Sequence, residues 1–170
     1  MKLLGRGVSK PTPDAARAVS PAYGQSVILQ KQVLKHVFEH RQLHFVDREA
    51  GGQLFGVVEA DGLVVTEATG PYAGDERSRA HYRSDPRAAQ RAIDERSARN
   101  LLYLGEWHTH PEDEPRISAA DGSAIQTLHE RSRLNLLEVL LLIVGRSASP
   151  AGLALWSVAE YGIEPWTFER

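Results

Sequence analysis

Between Gly52 and Gly70 the chain reads GQLFGVVEADGLVVTEATG, two runs rich in Val, Leu, Phe and Thr on either side of Ala60, Asp61 and Gly62. Asp-Gly between such runs is a strong hairpin signal, so the stretch predicts an antiparallel strand pair and commits the chain to a β-sheet. Its surroundings follow the other period. VILQKQVLKHVFEHRQ, starting at Val27, sets Val33, Leu34, Val37 and Phe38 at helical spacing, which predicts a first helix with one buried stripe. SDPRAAQRAIDERSARN opens with Ser84 and Asp85 before Pro86, the pattern of a second helix. LLYLGEWHTH then reads as a strand, SAADGSAIQTLHERS as a third helix, and LLEVLLLIVG and GLALWSVAE as two more strands. The order αββαβαββ predicts a mixed sheet with helices packed against it, an α/β or α+β fold.

A length of 170 residues suits one domain and is short for two. Residues 1–25 carry Pro11, Pro13 and Pro21 among Gly, Ser and Ala without apolar periodicity, so a loosely ordered leader is expected before a domain spanning 26–170. The formal net charge of −2 argues against general attraction to nucleic acid. The start MKLLGRGVSK lacks the apolar core of a secretory signal, and the longest apolar run, LNLLEVLLLIVG, is interrupted by Glu138 and too short to cross a bilayer. A cytoplasmic protein with no membrane partner is expected. There is no cysteine, which removes disulfides, thiolate metal sites and a thiol nucleophile together. The remaining chemistry belongs to His, carboxylates, hydroxyls or a cofactor.

EWHTHPEDEPRISAAD, residues 106–121, carries that chemistry most densely. Side chains two apart on a strand share a face, so His108 and His110 can point at one spot while Thr109 faces away. Two imidazoles supply two metal ligands without bending the backbone, and Asp121 can be a third, leaving one tetrahedral position open as in a catalytic zinc site. SAAD is also a good helix start, with Ser118 as N-cap and Asp121 favoured at the third helical position. Hydrolysis at such a centre needs a base just outside the ligand set. Glu106, two residues before His108, and Glu49, opening EAGGQLFG, are the two acids that precede the motif in suitable places.

HxH, seven residues, Ser, two residues and Asp, together with the upstream EAGGQLFG, resembles the JAMM (MPN+) zinc metallopeptidases, over a span from about Val27 to Ala159. The resemblance implies a single MPN-like α/β domain whose mixed, curved sheet is flanked by helices. It implies His108, His110 and Asp121 as ligands of one Zn2+, Glu49 as general acid and base, and Ser118 as a hydroxyl that steadies the water or oxyanion. Glu106 then becomes an ordinary strand residue. The family cleaves isopeptide or peptide bonds after the C-terminal tail of ubiquitin or ubiquitin-like proteins, so the implied substrate is a ubiquitin-like protein or its conjugate. GEWHTHPEDEP and GDERSRAHYR resemble the compact bacterial members, including those of antiphage operons, where E1- and E2-like proteins of the same pathway are expected partners.

Three other readings fit parts of the pattern. A processing peptidase would trim a precursor tail from a ubiquitin-like or sulfur-carrier protein, and a non-catalytic scaffold would keep the fold only to bind partners. A two-His, one-carboxylate iron oxygenase usually carries its acid inside the short motif, where this chain has a histidine. Outside the motif, His36, His40 and His44 recur every four residues on the first expected helix, and seven arginines fall between Arg77 and Arg99. Tyr72, Tyr82 and Trp107 are candidates for a peptide groove or for the core.

Overall fold

The computed structural model describes residues 14–20, 24–132, 136 and 138–170. Its strands are β1 (Ala15–Val19), β2 (Ser26–Gln30), β3 (Gly51–Glu59), β4 (Gly62–Ala68), β5 (Glu76–Ser78), β6 (His81–Arg83), β7 (Leu102–Thr109), β8 (Val139–Val144), β9 (Leu153–Ala159) and β10 (Gly162–Phe168). The helices are α1 (Lys31–Glu39), α2 (Pro86–Ser97) and α3 (Ala119–Arg131). Eight strands close on themselves in the order β1-β10-β9-β8-β7-β3-β4-β2, and β5 pairs with β6 in a separate hairpin. The expected hairpin is present, with β3 and β4 antiparallel around Ala60 and Asp61. The sheet is mixed because β7 runs parallel to β8 and β2 parallel to β4. Each parallel pair needs a crossover, and in the first case α3 lies within it.

β8 shows how both faces of the wall are filled. Leu140, Leu142 and Val144 join a core with Val27, Leu29, Leu54 and Trp107, to which α1 adds Val33, Leu34 and Val37. Val139, Leu141 and Ile143 pack on the opposite face with Ile125 of α3 and Val158. A strand covered on both sides reads as a continuous apolar run, which is why VLLLIV shows no alternation. Among the described residues no helix is long and apolar enough to cross a membrane.

Two boundaries differ from the expectation. Val27–Gln30 is strand, not the first turn of α1: Val27 to Leu29 pair with both β1 and β4, and Gln30 is still extended at φ −71°, ψ 160°. Pairing on both edges outweighs the helical spacing that starts inside this stretch. Barrel structure is also present before residue 26, since Ala15–Val19 pairs with β2 and with β10 and completes the barrel. AARAV carries too few large apolar residues to announce a strand; its place is set by the two neighbours whose edges it covers. β10 escaped notice for a similar reason, because Pro165 lies inside it. Among the described residues β1 pairs with Thr167 and Phe168 and not with Pro165, so no described β1 ladder bond needs the N–H that proline lacks. Residues 1–13 and 21–23 of the expected leader lie outside the described residues.

Candidate metal centre

The pairing of β3 with β7 brings the motif together. Gly51 stands opposite His108, and the ladder continues one step further: Thr109 N–H donates to Ala50 O at 2.8 Å, and Ala50 N–H donates to Thr109 Oγ1 at 2.9 Å. Glu49 is thereby carried alongside the two histidines, and its own N–H is tied to Ser78 O at 2.8 Å. His110 lies just past the strand end, held by its N–H to Val144 O at 2.9 Å. The alternation holds as expected. Trp107 and Thr109 are fully buried, while His108 and His110 converge with Nε2 atoms 3.1 Å apart.

The third arm comes from α3. Ser118 caps the helix by accepting from Asp121 N–H at 3.1 Å, and Asp121 Oδ2 accepts from Ser118 N–H at 2.8 Å and from Ser118 Oγ–H at 2.6 Å. This is a complete capping box. The cap and the metal readings are therefore not rivals, because the box aims the carboxylate. Asp121 Oδ1 lies 3.3 Å from His108 Nε2 and Asp121 Oδ2 lies 3.3 Å from His110 Nε2. Metal bonds of about 2.0–2.1 Å in a tetrahedron set neighbouring ligand atoms about 3.3–3.4 Å apart. The two imidazole nitrogens, 3.1 Å apart and each 3.3 Å from its own Asp121 oxygen, crowd close to that spacing, so the donor set fits a metal ion. His108, His110 and Asp121 form the group able to share an ion among the described residues.

The electrostatics follow from the same crowding. Burial works to raise the Asp121 carboxyl, but hydrogen bonds from His108, His110 and Ser118 outweigh it and hold the group far below the usual carboxylate range. For His110, burial opposes protonation, yet the hydrogen bond and charge of Asp121 and the charges of Glu49 and Glu112 raise it overall. The Glu49 side chain is only 6% exposed. Burial pushes its carboxyl up to about 7, with His110 lowering it and Asp121 raising it further. A carboxyl in that range can both take and return a proton near neutrality.

Residues 30–159 match the family described as prokaryotic homologs of the JAB domain. The chain belongs to that family. This JAB domain is 40% identical over 127 residues to a CD-NTase/cGAS isopeptidase of Vibrio cholerae, covering 71% of this chain and 76% of that protein. It is 37% identical over 121 residues to a CD-NTase/cGAS isopeptidase of Pseudomonas aeruginosa, covering 69% and 76%. Among solved structures it is similar to a protein from Desulfitobacterium hafniense, with a TM-score of 0.60 over 81% of this chain and 87% of that one. At 22% identity that likeness speaks for the fold alone.

Beside the candidate metal centre the JAB domain has a cleft of about 360 Å³ that includes His108 and Asp121 in its lining. Its walls are largely apolar, formed by Tyr82, Trp107, Ala124, Ile125, Leu128 and Leu141. Gln53 and Glu106 also line it. Glu106 Oε1 accepts from the Tyr103 hydroxyl at 2.5 Å, and Oε2 accepts from Gln53 Nε2 at 2.9 Å. Gln53 Oε1 in turn accepts from the Tyr72 hydroxyl at 2.7 Å. Sequence reading made Glu106 an ordinary strand residue, and so missed this network. The signal was Gly105. At φ +154° it marks a bulge, with Gln53 opposite Glu106 and Leu54 opposite Gly105 but Phe55 opposite Tyr103. The extra residue lets Tyr103 and Glu106, three apart, share one face.

The remaining histidines of the JAB domain do not join the metal group. His36 shares a hydrogen bond of 2.7 Å with Gly70 O, and the His36 and His40 rings pack near Trp107. His40 is the C-cap of α1, and His44 lies beyond the helix in a turn. Of the three aromatic candidates, Trp107 is core and Tyr82 lines the cleft. Arg96 and Arg99 of the basic run both bind Glu67 on β4.

Proposed function

We propose that this JAB domain is a zinc-dependent isopeptidase that releases a protein joined through its C-terminal carboxyl to an amine, as the implied ubiquitin-like conjugates are. One observation carries the reading: two imidazole nitrogens and a carboxylate converge within 3.1–3.3 Å of one another, with a second, nearly inaccessible carboxyl near neutrality at Glu49. His108, His110 and Asp121 hold the ion. Zinc bound there supplies a Lewis acid that acidifies water and polarises a carbonyl. Glu49 takes the proton from the attacking water at its carboxylate and delivers it to the departing nitrogen. The Ser118 hydroxyl steadies Asp121 with its one proton, and would donate to the developing oxyanion by turning from Asp121 Oδ2 toward it. The apolar cleft beside His108 and Asp121 suits an extended acyl segment, kept dry on one side by α3.

The names of the relatives favour the isopeptide arm over precursor trimming. By the same likeness the tail-bearing component is a CD-NTase or cGAS-like protein, and the pathway is antiphage defence in the cytoplasm, with E1- and E2-like enzymes supplying the conjugate. The test compares a lysine-linked conjugate of that protein with a linear C-terminal fusion. Cleavage of the conjugate is expected to stop with chelator, return with zinc, and vanish in Glu49→Gln while one zinc per chain is retained. Full activity in that variant removes Glu49 from its role, and purified protein that takes up no zinc ends the proposal.

A further inference from the structure

The turn between α1 and Glu49 is built the wrong way round for solvent. His44–Asp47 closes a tight turn, with Asp47 N–H donating to His44 O at 3.1 Å and His44 N–H to Asp47 Oδ2 at 2.7 Å. Its two central positions, where Gly, Asn, Asp or Ser are favoured, are Phe45 and Val46, 80% and 83% exposed, and Leu43 beside them is 52% exposed. Single exposed apolar side chains need no explanation; a cluster of them on one turn does.

The tip is also held rigidly. Arg79 donates to Phe45 O at 2.5 Å and lays its guanidinium 4.2 Å from the centre of the Phe45 ring. Gln42, 2% exposed, spans the base of the turn by donating to Asp47 O and Arg79 O. Its Oε1 accepts from the hydroxyl of Thr109, the residue between the two histidines of the metal centre. Arg77 donates to Glu49 O at 2.6 Å. One hydrogen-bond network therefore seats both the apolar tip and the candidate base. A tip fixed in this way loses little freedom when a partner covers it.

The charge around the tip is predominantly positive, three arginines against the Asp47 carboxylate. Arg48, Arg77 and Arg79 take part in no ion pair among the described residues; Arg77 and Arg79 instead donate to backbone carbonyls. Asp47 turns one carboxylate oxygen back onto the His44 N–H, so the carboxylate belongs to the base of the turn while the arginines stand around it.

We infer that Leu43, Phe45 and Val46, ringed by Arg48, Arg77 and Arg79, dock the folded body of the protein whose tail enters the metal centre, at an apolar depression rimmed by carboxylates. This rests on the isopeptidase reading for the identity of the partner. An isopeptidase meets many different amine-bearing targets but one tail-bearing protein, so a dedicated surface fits the constant component. Charge complementarity then fixes its chemistry as acidic.

The experiment uses the full chain, stripped of metal, and the CD-NTase encoded in the same genome, both intact and as a synthetic C-terminal tail peptide. Calorimetric titration is expected to show the intact protein binding the Phe45→Ser/Val46→Ser variant about tenfold more weakly or worse, with tail-peptide affinity unchanged. Arg48→Glu is expected to weaken intact-protein binding and reduce its salt dependence. Wild-type affinity in the double variant, or no binding of the intact protein to the wild-type chain, overturns the inference. So does light scattering that shows the chain self-associating through this tip, which would give the patch to a second copy. Failure of the isopeptidase reading is visible separately, as a zinc-loaded wild-type chain that binds the intact protein through the tip but does not cut its lysine conjugate.

Discussion

Glu106 offers a measurement that depends on the fold but not on a bound metal. Burial pushes its carboxyl from an ordinary 4.5 up to about 7, although the Tyr103 hydroxyl and the Gln53 amide favour the charged form and pull the other way. Desolvation wins because the donors are two neutral groups and α2 packs against the strand. The gap between the two values corresponds to about 3 kcal/mol. That figure is a ceiling, since the carboxyl lines a cleft that water can enter. The direction follows from proton counting. Between about 4.5 and about 7 the folded chain keeps a proton that the unfolded chain has released, so this contribution is fully present below about 4.5 and lost as the pH rises to about 7. Glu106→Gln keeps shape and an acceptor but cannot ionise. Its stability relative to wild type is therefore expected to improve by about 1–3 kcal/mol between about pH 5 and about pH 8. Urea unfolding of both chains in chelator measures this, and subtraction cancels the titrations they share. A difference that stays constant to within about 0.5 kcal/mol across that range, or one that grows in favour of wild type, refutes the reasoning.

Three further outcomes test the frame around the metal centre. In Gly52→Ala the new Cβ would stand 1.8 Å from Thr69 O, a backbone atom that cannot swing away, so denaturant unfolding should register a loss of about 3 kcal/mol or more; near-native stability would mean that β3 and the Thr69 backbone can part at little cost. Thr109→Val leaves the Ala50 N–H, bonded at 2.9 Å in the native chain, buried without an acceptor, at a cost of about 2 kcal/mol that Thr109→Ser should largely restore in the same assay. Ser118→Ala removes both the helix cap and the 2.6 Å bond to Asp121, so about 1 kcal/mol of stability and about tenfold in zinc affinity, measured by chelator competition, are expected to go. Unchanged zinc affinity would show that the Ser118 bond to Asp121 does not support the ion.

Local chemistry decided a good part of this protein in advance. The β3–β4 hairpin follows from Asp-Gly between apolar runs, α2 from Asp85 ahead of Pro86, and α3 from Ser118 and Asp121, because each signal acts within a few residues of itself. The convergence of His108 and His110 is of the same kind, being a property of strand geometry. Closure of the barrel is not: AARAV and the proline-bearing β10 earn their places only from neighbours distant in the chain, and Val27–Gln30 changed from helix to strand for the same reason. The bulge at Gly105 that gathers Tyr103, Gln53 and Glu106, and the network from Thr109 through Gln42 to an exposed Phe45, likewise exist only once strands are paired. Sequence by itself determined the donor atoms and their local aim, since dihedral preference and capping are short-range. Tertiary structure decided which carboxyl stands beside them, how dry it is and what surface surrounds it, since pairing register and burial are sums over the whole chain.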